Sequence, residues 1–343
     1  MKCFLHIGTE KTATTSIQDF LDLNRVKLQE NNYIYTESAG KVNNKKLAVA
    51  AYDLSRRDNL TKKLGINTDQ ELHSFQQNVI EKLEQELSNS SNSSVIFSSE
   101  YIQSRLRQPS ELLRLKSILK RLGFDDISII VYLRNPVDTA NSLYSTAVKC
   151  GETSALPPLP NHKYYQNICH HQQTLERFGS VFGESALIPK IFHKSEFKNG
   201  SIINDFLATI GIHNSAGYKI PQNKNESLSP LGIEILRRIN AKISYSAQDN
   251  LAPPRKHIVR YFEKYFSDGK YIMPQEMFEK YELAFKESNE WVRKNFFGEK
   301  ERLFAEKKPA SDSNIAISEQ ELNVIANMII DIWQCKLIAN NMQ

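Results

Sequence analysis

No stretch of this 343-residue sequence stays apolar for the roughly 18 residues that a membrane span requires. Its first residues do not read as a secretory leader either. One lysine precedes only "CFLHIG", and no small-residue cleavage site follows. Cysteine is scarce: Cys3, Cys150, Cys169 and Cys335 are scattered without CxxC spacing. That pattern argues against a zinc site or a disulfide framework and for a reducing compartment, so the expected location is cytoplasmic. Neither sign of charge dominates, with 44 Lys and Arg against 39 Asp and Glu. A net charge of +5 suits an anionic ligand but gives no support to a nucleic-acid partner. Internal repeats at solenoid periods are missing. What remains is a globular composition, 40% hydrophobic with 14 Tyr and 17 Phe, long enough for one large domain or two small ones.

Strand-like and helix-like segments alternate through the first 200 residues. "KCFLHI" (2–7) reads as a short buried strand and 14–31 as a helix with apolar residues at helical spacing. "YIY" (33–35) is a second strand candidate, followed by a weak helix near 45–55 and a helix over 69–88. "VIFSSE" (95–100) is a strand ending in polar residues. Residues 109–123 form a helix bounded by Pro109 and Gly123. "ISIIVYL" (127–133) is an apolar run broken only by Ser128, as a strand buried on both faces should be. A helix over 137–151, another near 165–178 and a strand over 186–192 follow. This order predicts an α/β fold with a parallel sheet and helices on both faces. Beyond about residue 200 the chain reads as mainly helical. Its last helix, "SEQELNVIANMIIDIWQCKLIANN", carries a broad apolar face, expected to pack on the sheet domain. A homodimer contact or a membrane-surface helix are the alternatives.

The loop after the first strand, "GTEKTATTS" (8–16), leads into a helix. Backbone N–H groups at a helix N-terminus form an anion site, to which Lys11 adds a charge and Thr12, Thr14, Thr15 and Ser16 add hydroxyls. The competing reading is a helix whose threonines only cap its own backbone. A triphosphate loop ends in Gly-Lys-Ser/Thr with the hydroxyl on magnesium. Here Lys11 precedes the threonine pair, position 13 is alanine, and no later strand ends in a clear acidic metal ligand. The expectation is a nucleotide with a smaller anionic group, handled without a metal. "RNPVDTANS" (134–142) follows the buried strand of 127–133. Arg134 stands where ligands bind in open α/β sheets, and Ser142 lies about two helical turns on. A guanidinium fork with a hydroxyl suits a phosphate monoester, while a structural ion pair is the alternative for Arg134.

Together, "EKTATTS" and "RNPVDTANS" resemble the two nucleotide motifs of sulfotransferases that use 3′-phosphoadenosine 5′-phosphosulfate (PAPS). The likeness is nearest to bacterial sulfotransferase-like proteins of polysaccharide and cell-surface glycan pathways. Further segments that look like that group are "SSE" (98–100), "IINDFLATIGI" (202–212), "NESLS" (225–229) and "SNEWVRKNFFGEKERLF" (288–304). The resemblance implies a P-loop NTPase-like three-layer α/β/α fold with a mostly helical C-terminal part. It implies one domain over 1–343, with a nucleotide-binding core over 1–200 and a helical extension over 201–343 that completes the acceptor site. It assigns Gly8, Thr9, Lys11, Thr12, Ala13, Thr14, Thr15 and Ser16 to the 5′-phosphosulfate, and Arg134 and Ser142 to the 3′-phosphate. Ala13 departs from the family's glycine, which puts close backbone approach there in doubt.

The implied reaction moves a sulfuryl group from PAPS to a hydroxyl of a carbohydrate acceptor, with Lys11 stabilising charge on the leaving phosphate and no metal. A small secondary metabolite sulfated on oxygen or nitrogen is the alternative acceptor. A P-loop kinase or NTPase and a non-catalytic binding module are more remote readings. Glu100, at a strand end, is the expected general base, with His170 or His171 as the runner-up. His6 is expected to be a core histidine, and Glu10 to pair with or tune Lys11. Tyr164 and Tyr165 are candidates for stacking on a sugar, or for packing. Arg56, Arg57, Lys62 and Lys63 are candidates for meeting an anionic glycan, or form a solvated face.

Overall fold

The computed structural model describes residues 1–88, 90, 93–221, 227–242, 255–307 and 317–341. The chain folds as two compact units. The first comprises Met1–Thr139, Lys163–Gln222 and Phe285–Ala305, and the second Ala140–His162, Asn223–Ala284 and Glu306–Gln343.

In chain order the elements are β1 (Lys2–His6), α1 (Thr14–Leu23), α2 (Arg25–Glu30), β2 (Tyr33–Tyr35), α3 (Lys45–Ala50), α4 (Asn59–Lys63), α5 (Asp69–Leu87), β3 (Ser94–Ser98), α6 (Glu100–Arg105), α7 (Pro109–Arg121), β4 (Asp126–Leu133), α8 (Pro136–Lys149), α9 (Lys163–Cys169), α10 (His171–Phe182), β5 (Leu187–Ile191), α11 (Ile202–Thr209), α12 (Pro230–Lys242), α13 (Arg255–Tyr265), α14 (Gln275–Phe296) and α15 (Glu319–Asn341).

The first unit is built on a five-stranded sheet of order β2-β3-β1-β4-β5, in which every pairing is parallel. Strand alternation sends Leu5, Phe97, Ile129 and Val131 to one face, where they pack with residues of α3, α5, α7 and α10. Phe4, Ile96, Ile130 and Tyr132 face the other way, onto α1, α2 and α11. With both faces covered, these strands need apolar residues at successive positions, and β4 reads that way. The three-layer α/β/α arrangement expected from the sequence is therefore present, as is a mostly helical region after residue 200. From β1 the chain passes to one side of the sheet, and from β4 to the other. This reversal opens a crevice between the C-terminal ends of the adjacent strands β1 and β4.

Several boundaries differ from the sequence reading. The helix expected over 14–31 breaks at Asn24. Its side-chain amide donates to Phe20 O (2.8 Å) and Lys219 O (2.8 Å) and accepts from Lys219 N (2.7 Å), so it ties the helix end to a distant segment. The helix expected near 165–178 breaks at His170, whose Nδ1 accepts from Gln173 N and so caps α10. Glu100 opens α6 rather than ending β3.

The second unit is helical among its described residues. Tyr144, Leu231, Leu236, Phe262 and Phe266 form its core, with Met328, Val324, Ile325 and Ile332 of α15 packed into it. These four α15 side chains pack on helices of their own unit, while the side chains from Trp333 onward, which carry much of the expected docking face, lie outside the described residues. No helix among the described residues is long and apolar enough to cross a membrane. Cys3 and Cys169 are buried and Cys150 exposed, all three as free thiols. The side chain of Cys335 and the first two residues of "NESLS", Asn225 and Glu226, lie outside the described residues.

Candidate functional site

The loop between β1 and α1 is anchored to β4 through its backbone. Thr9 N donates to Tyr132 O (3.1 Å), and Tyr132 N donates to Gly8 O (2.7 Å). The Thr9 hydroxyl also donates to Tyr132 O (3.2 Å), and the Thr12 hydroxyl to Thr9 O (2.7 Å). Both side chains are fully buried, so these two hydroxyls brace the loop from inside. Lys11 and Ala13 are left-handed, with φ of 66° and 57°. Position 13 thus has the backbone that glycine adopts freely, and the alanine methyl is accommodated at a cost of about 1–2 kcal/mol. Ala13 is the N-cap of α1 and offers no side-chain acceptor to its first amides, and no acid stands in the first turn. Thr14 is buried, Thr15 exposed and Ser16 half-buried there. The N-terminus of α1 therefore keeps donors and a favourable dipole for an anion.

Arg134 follows β4 directly. Its Nη1 donates to Lys11 O (2.8 Å), and its guanidinium lies 5.5 Å from the centre of the Phe192 ring. Burial lowers its pKa, opposed by the charge of Asp138. The two segments singled out in the sequence thus meet across the β1–β4 crevice. His171, fully buried, sets its Nε2 at 2.8 Å from Arg134 O, a contact in which the ring N–H donates. Burial pushes this imidazole down to about 4, so it is neutral near pH 7 and steadies the arginine backbone. Asn135 caps α8 by accepting Val137 N (2.9 Å). The first segment of the first unit ends at Thr139, and Ser142 belongs to the second unit. Ser142 is half-buried in α8, and its carbonyl accepts from the Thr146 hydroxyl (3.0 Å).

On the other flank of β1, Glu100 presses against the loop. A Cβ built on Gly8 would sit 3.1 Å from Glu100 Cβ and 3.2 Å from its Cα, and Gly8 has φ of 108°. Only glycine combines that backbone with that approach. The Glu100 carboxylate accepts from Gln18 Nε2 (2.9 Å) and, at both oxygens, from Asn43 Nδ2 (3.0 Å). Asn43 is held in turn by the Ser99 hydroxyl (2.8 Å), and Asn44 hooks the same turn to Ser98 N (2.9 Å). No cation forms an ion pair with Glu100 among the described residues. Its pKa is raised, first by burial and further by the nearby Glu10 charge, while its amide partners oppose the shift. A carboxylate so placed takes up a proton more readily than a solvated one.

Glu10 accepts a short hydrogen bond from the Tyr164 hydroxyl, and the ring of Tyr164 meets Tyr165 edge-on. Tyr165 is buried and packs, while Tyr164 is half-buried. His6 is a core residue with Nδ1 at 2.8 Å from the Ser98 hydroxyl, and burial pushes it down to about 3. The basic run expected to greet a glycan is largely spoken for. Arg56 pairs with Glu111 (2.5 Å) and Asp58 (3.6 Å), and Arg57 with Asp69 (2.7 Å). Lys62 and Lys63 are exposed in the last turn of α4. Gln18, Asn43 and the Glu10–Tyr164 bond were missed or read differently from sequence. Two neutral amides carry no local pattern that marks them.

No family model matches the chain. An uncharacterized protein of Archaeoglobus fulgidus is 28% identical over 198 residues, which are 56% of this chain and 52% of that protein. The chain thus spans about half the length of the curated relative it matches. The crystal structure of a sulfotransferase from Alicyclobacillus acidocaldarius covers 71% of this chain and 92% of its own, at 16% identity and a TM-score of 0.41. That likeness is too loose to carry an argument.

Proposed function

We propose that the chain is a sulfotransferase that uses PAPS as donor and a carbohydrate hydroxyl as acceptor. The observation that carries the proposal is the convergence of three segments on one sheet edge: the Lys11 loop, Arg134 bonded to that loop, and Glu100 packed against Gly8. The donor set fits the nucleotide. The open amides at the start of α1 and Lys11 suit the 5′-phosphosulfate, and Arg134 suits the 3′-phosphate. PAPS would supply the sulfuryl group, whose bond to the 5′-phosphate oxygen breaks as the acceptor oxygen bonds to sulfur.

The rest of the chemistry falls to this chain's residues. Lys11 and the α1 amides stabilise the charge that grows on the departing phosphate oxygen. Glu100 takes the acceptor proton, with Gln18 and Asn43 holding the carboxylate in place. Every group in this scheme is an amide, a hydroxyl, a cation or a hydrogen-bonded carboxylate, so no divalent ion is required. Sulfation of a small metabolite would use the same machinery. A magnesium-dependent kinase reading lacks the Gly-Lys-Ser/Thr ending.

The test is thermal stabilisation by PAP, the desulfated product, in EDTA. At 100 times its Kd the gain should be about 2.7 kcal/mol. Stabilisation by ATP with magnesium but not by PAP would overturn the assignment.

A further inference from the structure

Four guanidiniums gather around the last turn of α6, the helix that begins with Glu100. Arg177 Nη2 donates to Gln103 O (2.9 Å), Arg107 Nε to Ser104 O (3.1 Å) and Arg56 Nη1 to Arg105 O (2.7 Å). These carbonyls end a helix and need donors, so part of the cluster is structural. The balance of charge goes further than that need. Glu111, only 1% exposed, accepts Arg56, and Asp58 shares it. Arg105 and Arg107 have no carboxylate in ion-pair reach among the described residues. The Arg105 guanidinium makes no hydrogen bond there, although its Nε is buried. Gln103 Oε1 and Ser104 Oγ are likewise buried without partners at the same turn.

Packing more guanidiniums than carboxylates into one place is unfavourable, and Glu111 and Glu10 offset it only in part. Arg107 is lowered by burial and then by the charges of Arg105 and Arg56, and Arg177 is pushed down to about 10 by burial and by Arg107. An arriving anion would relieve this. The cluster also borders the site. Tyr164, bonded to Glu10 of the Lys11 loop, feels the Arg105 charge, as do Tyr101 and Tyr52. A half-buried tyrosine within the field of a guanidinium that has no carboxylate partner among the described residues suits a sugar that bears an anionic group.

We propose that the acceptor is an acidic saccharide, and that Arg105 and Arg107 at the end of α6 bind its carboxylate or sulfate while its hydroxyl reaches Glu100 at the start of the helix. This rests on the sulfotransferase reading and names its acceptor class. It differs from the basic run at 56–63, whose arginines are committed to Glu111, Asp58 and Asp69.

The test is calorimetric binding of three length-matched probes: oligogalacturonate, a sulfated oligosaccharide and a neutral maltooligosaccharide. Each is titrated with and without saturating PAP. At least one acidic probe should bind about tenfold more tightly than the neutral one, with raised salt weakening the preference. The Arg105→Gln, Arg107→Gln double variant should lose that preference and keep its PAP affinity within about twofold. The single Arg107→Gln variant, at an exposed position, should show a smaller loss in the same direction and serves if the double variant does not fold. The stronger acidic probe identifies carboxylate or sulfate as the ligand. Equal binding of all three probes, a preference unchanged in the variants, or parallel loss of PAP affinity would overturn the proposal. Failure of PAP to bind wild type, with the acidic preference intact, would sink the donor reading alone.

Discussion

The two ends of α6 treat charge in opposite ways. At the start, Glu100 is surrounded by neutral amides: Gln18 and Asn43 bond it, and no cation pairs with it among the described residues. At the end, Arg105 and Arg107 stand with no carboxylate in ion-pair reach among the described residues. Amides fix the geometry of a carboxylate without cancelling its charge, so burial prevails and the pKa rises. A cation beside Glu100 would have lowered it and made a poorer base. Unpaired guanidiniums, in contrast, keep a positive potential that an incoming anion can use. One end of a six-residue helix is thus suited to accept a proton and the other to hold an anion.

Glu100→Gln breaks the acidic end most directly. It preserves the shape and removes the base, and turnover should fall by about 10²–10⁴-fold while PAP affinity stays nearly constant. Labelled sulfate transfer beside PAP calorimetry checks both halves. Near-normal turnover would place the base elsewhere.

Arg134→Ala tests the partner segment. Its loss removes a charged donor proposed for the 3′-phosphate and the bond that ties Lys11 O to β4. PAP affinity should drop by about 1.5–3 kcal/mol, and affinity for a nucleotide without the 3′-phosphate by less. Equal losses for the two nucleotides would mean that Arg134 only shapes the loop.

Ala13→Gly carries the smallest effect and sharpens the account of the loop. It relieves a left-handed alanine but frees the unfolded chain, so the net gain should be about 1 kcal/mol or less in denaturant unfolding. A clear loss of stability would show that the methyl packs favourably.

The sequence made some of this legible and hid the rest for identifiable reasons. The run "ISIIVYL" announced β4 because a strand covered on both faces is apolar at successive positions, as β4 is from Ile129 to Leu133 where it is buried. The loop and Arg134 were legible because strand ends are where an open parallel sheet binds ligands, and the two segments, 123 residues apart, do meet. The break at Asn24 was not legible, since the side chain is bound to Lys219, 195 residues away. Gln18 and Asn43 were hidden for the same reason: they lie 82 and 57 residues from Glu100. The arginine cluster was missed because its members come from three separate segments, whereas the compact basic run at 56–63 drew attention and its two arginines proved paired.

The central claim is that Glu100 accepts the acceptor proton, and the pH dependence of sulfuryl transfer tests it most directly. Burial raises the Glu100 pKa above 4.5, so the folded protein holds this proton to higher pH than the unfolded chain. Stability from that group is full below about 4.5 and is lost as pH rises through the folded value, so Glu100→Gln should gain on wild type above it. The rate should rise with pH through the same folded value, as the carboxylate becomes free to act. The account predicts that single-turnover transfer by wild type shows this rising limb with an apparent pKa above 4.5, and that Glu100→Gln lacks it. A limb that persists unchanged in Glu100→Gln would contradict the assignment.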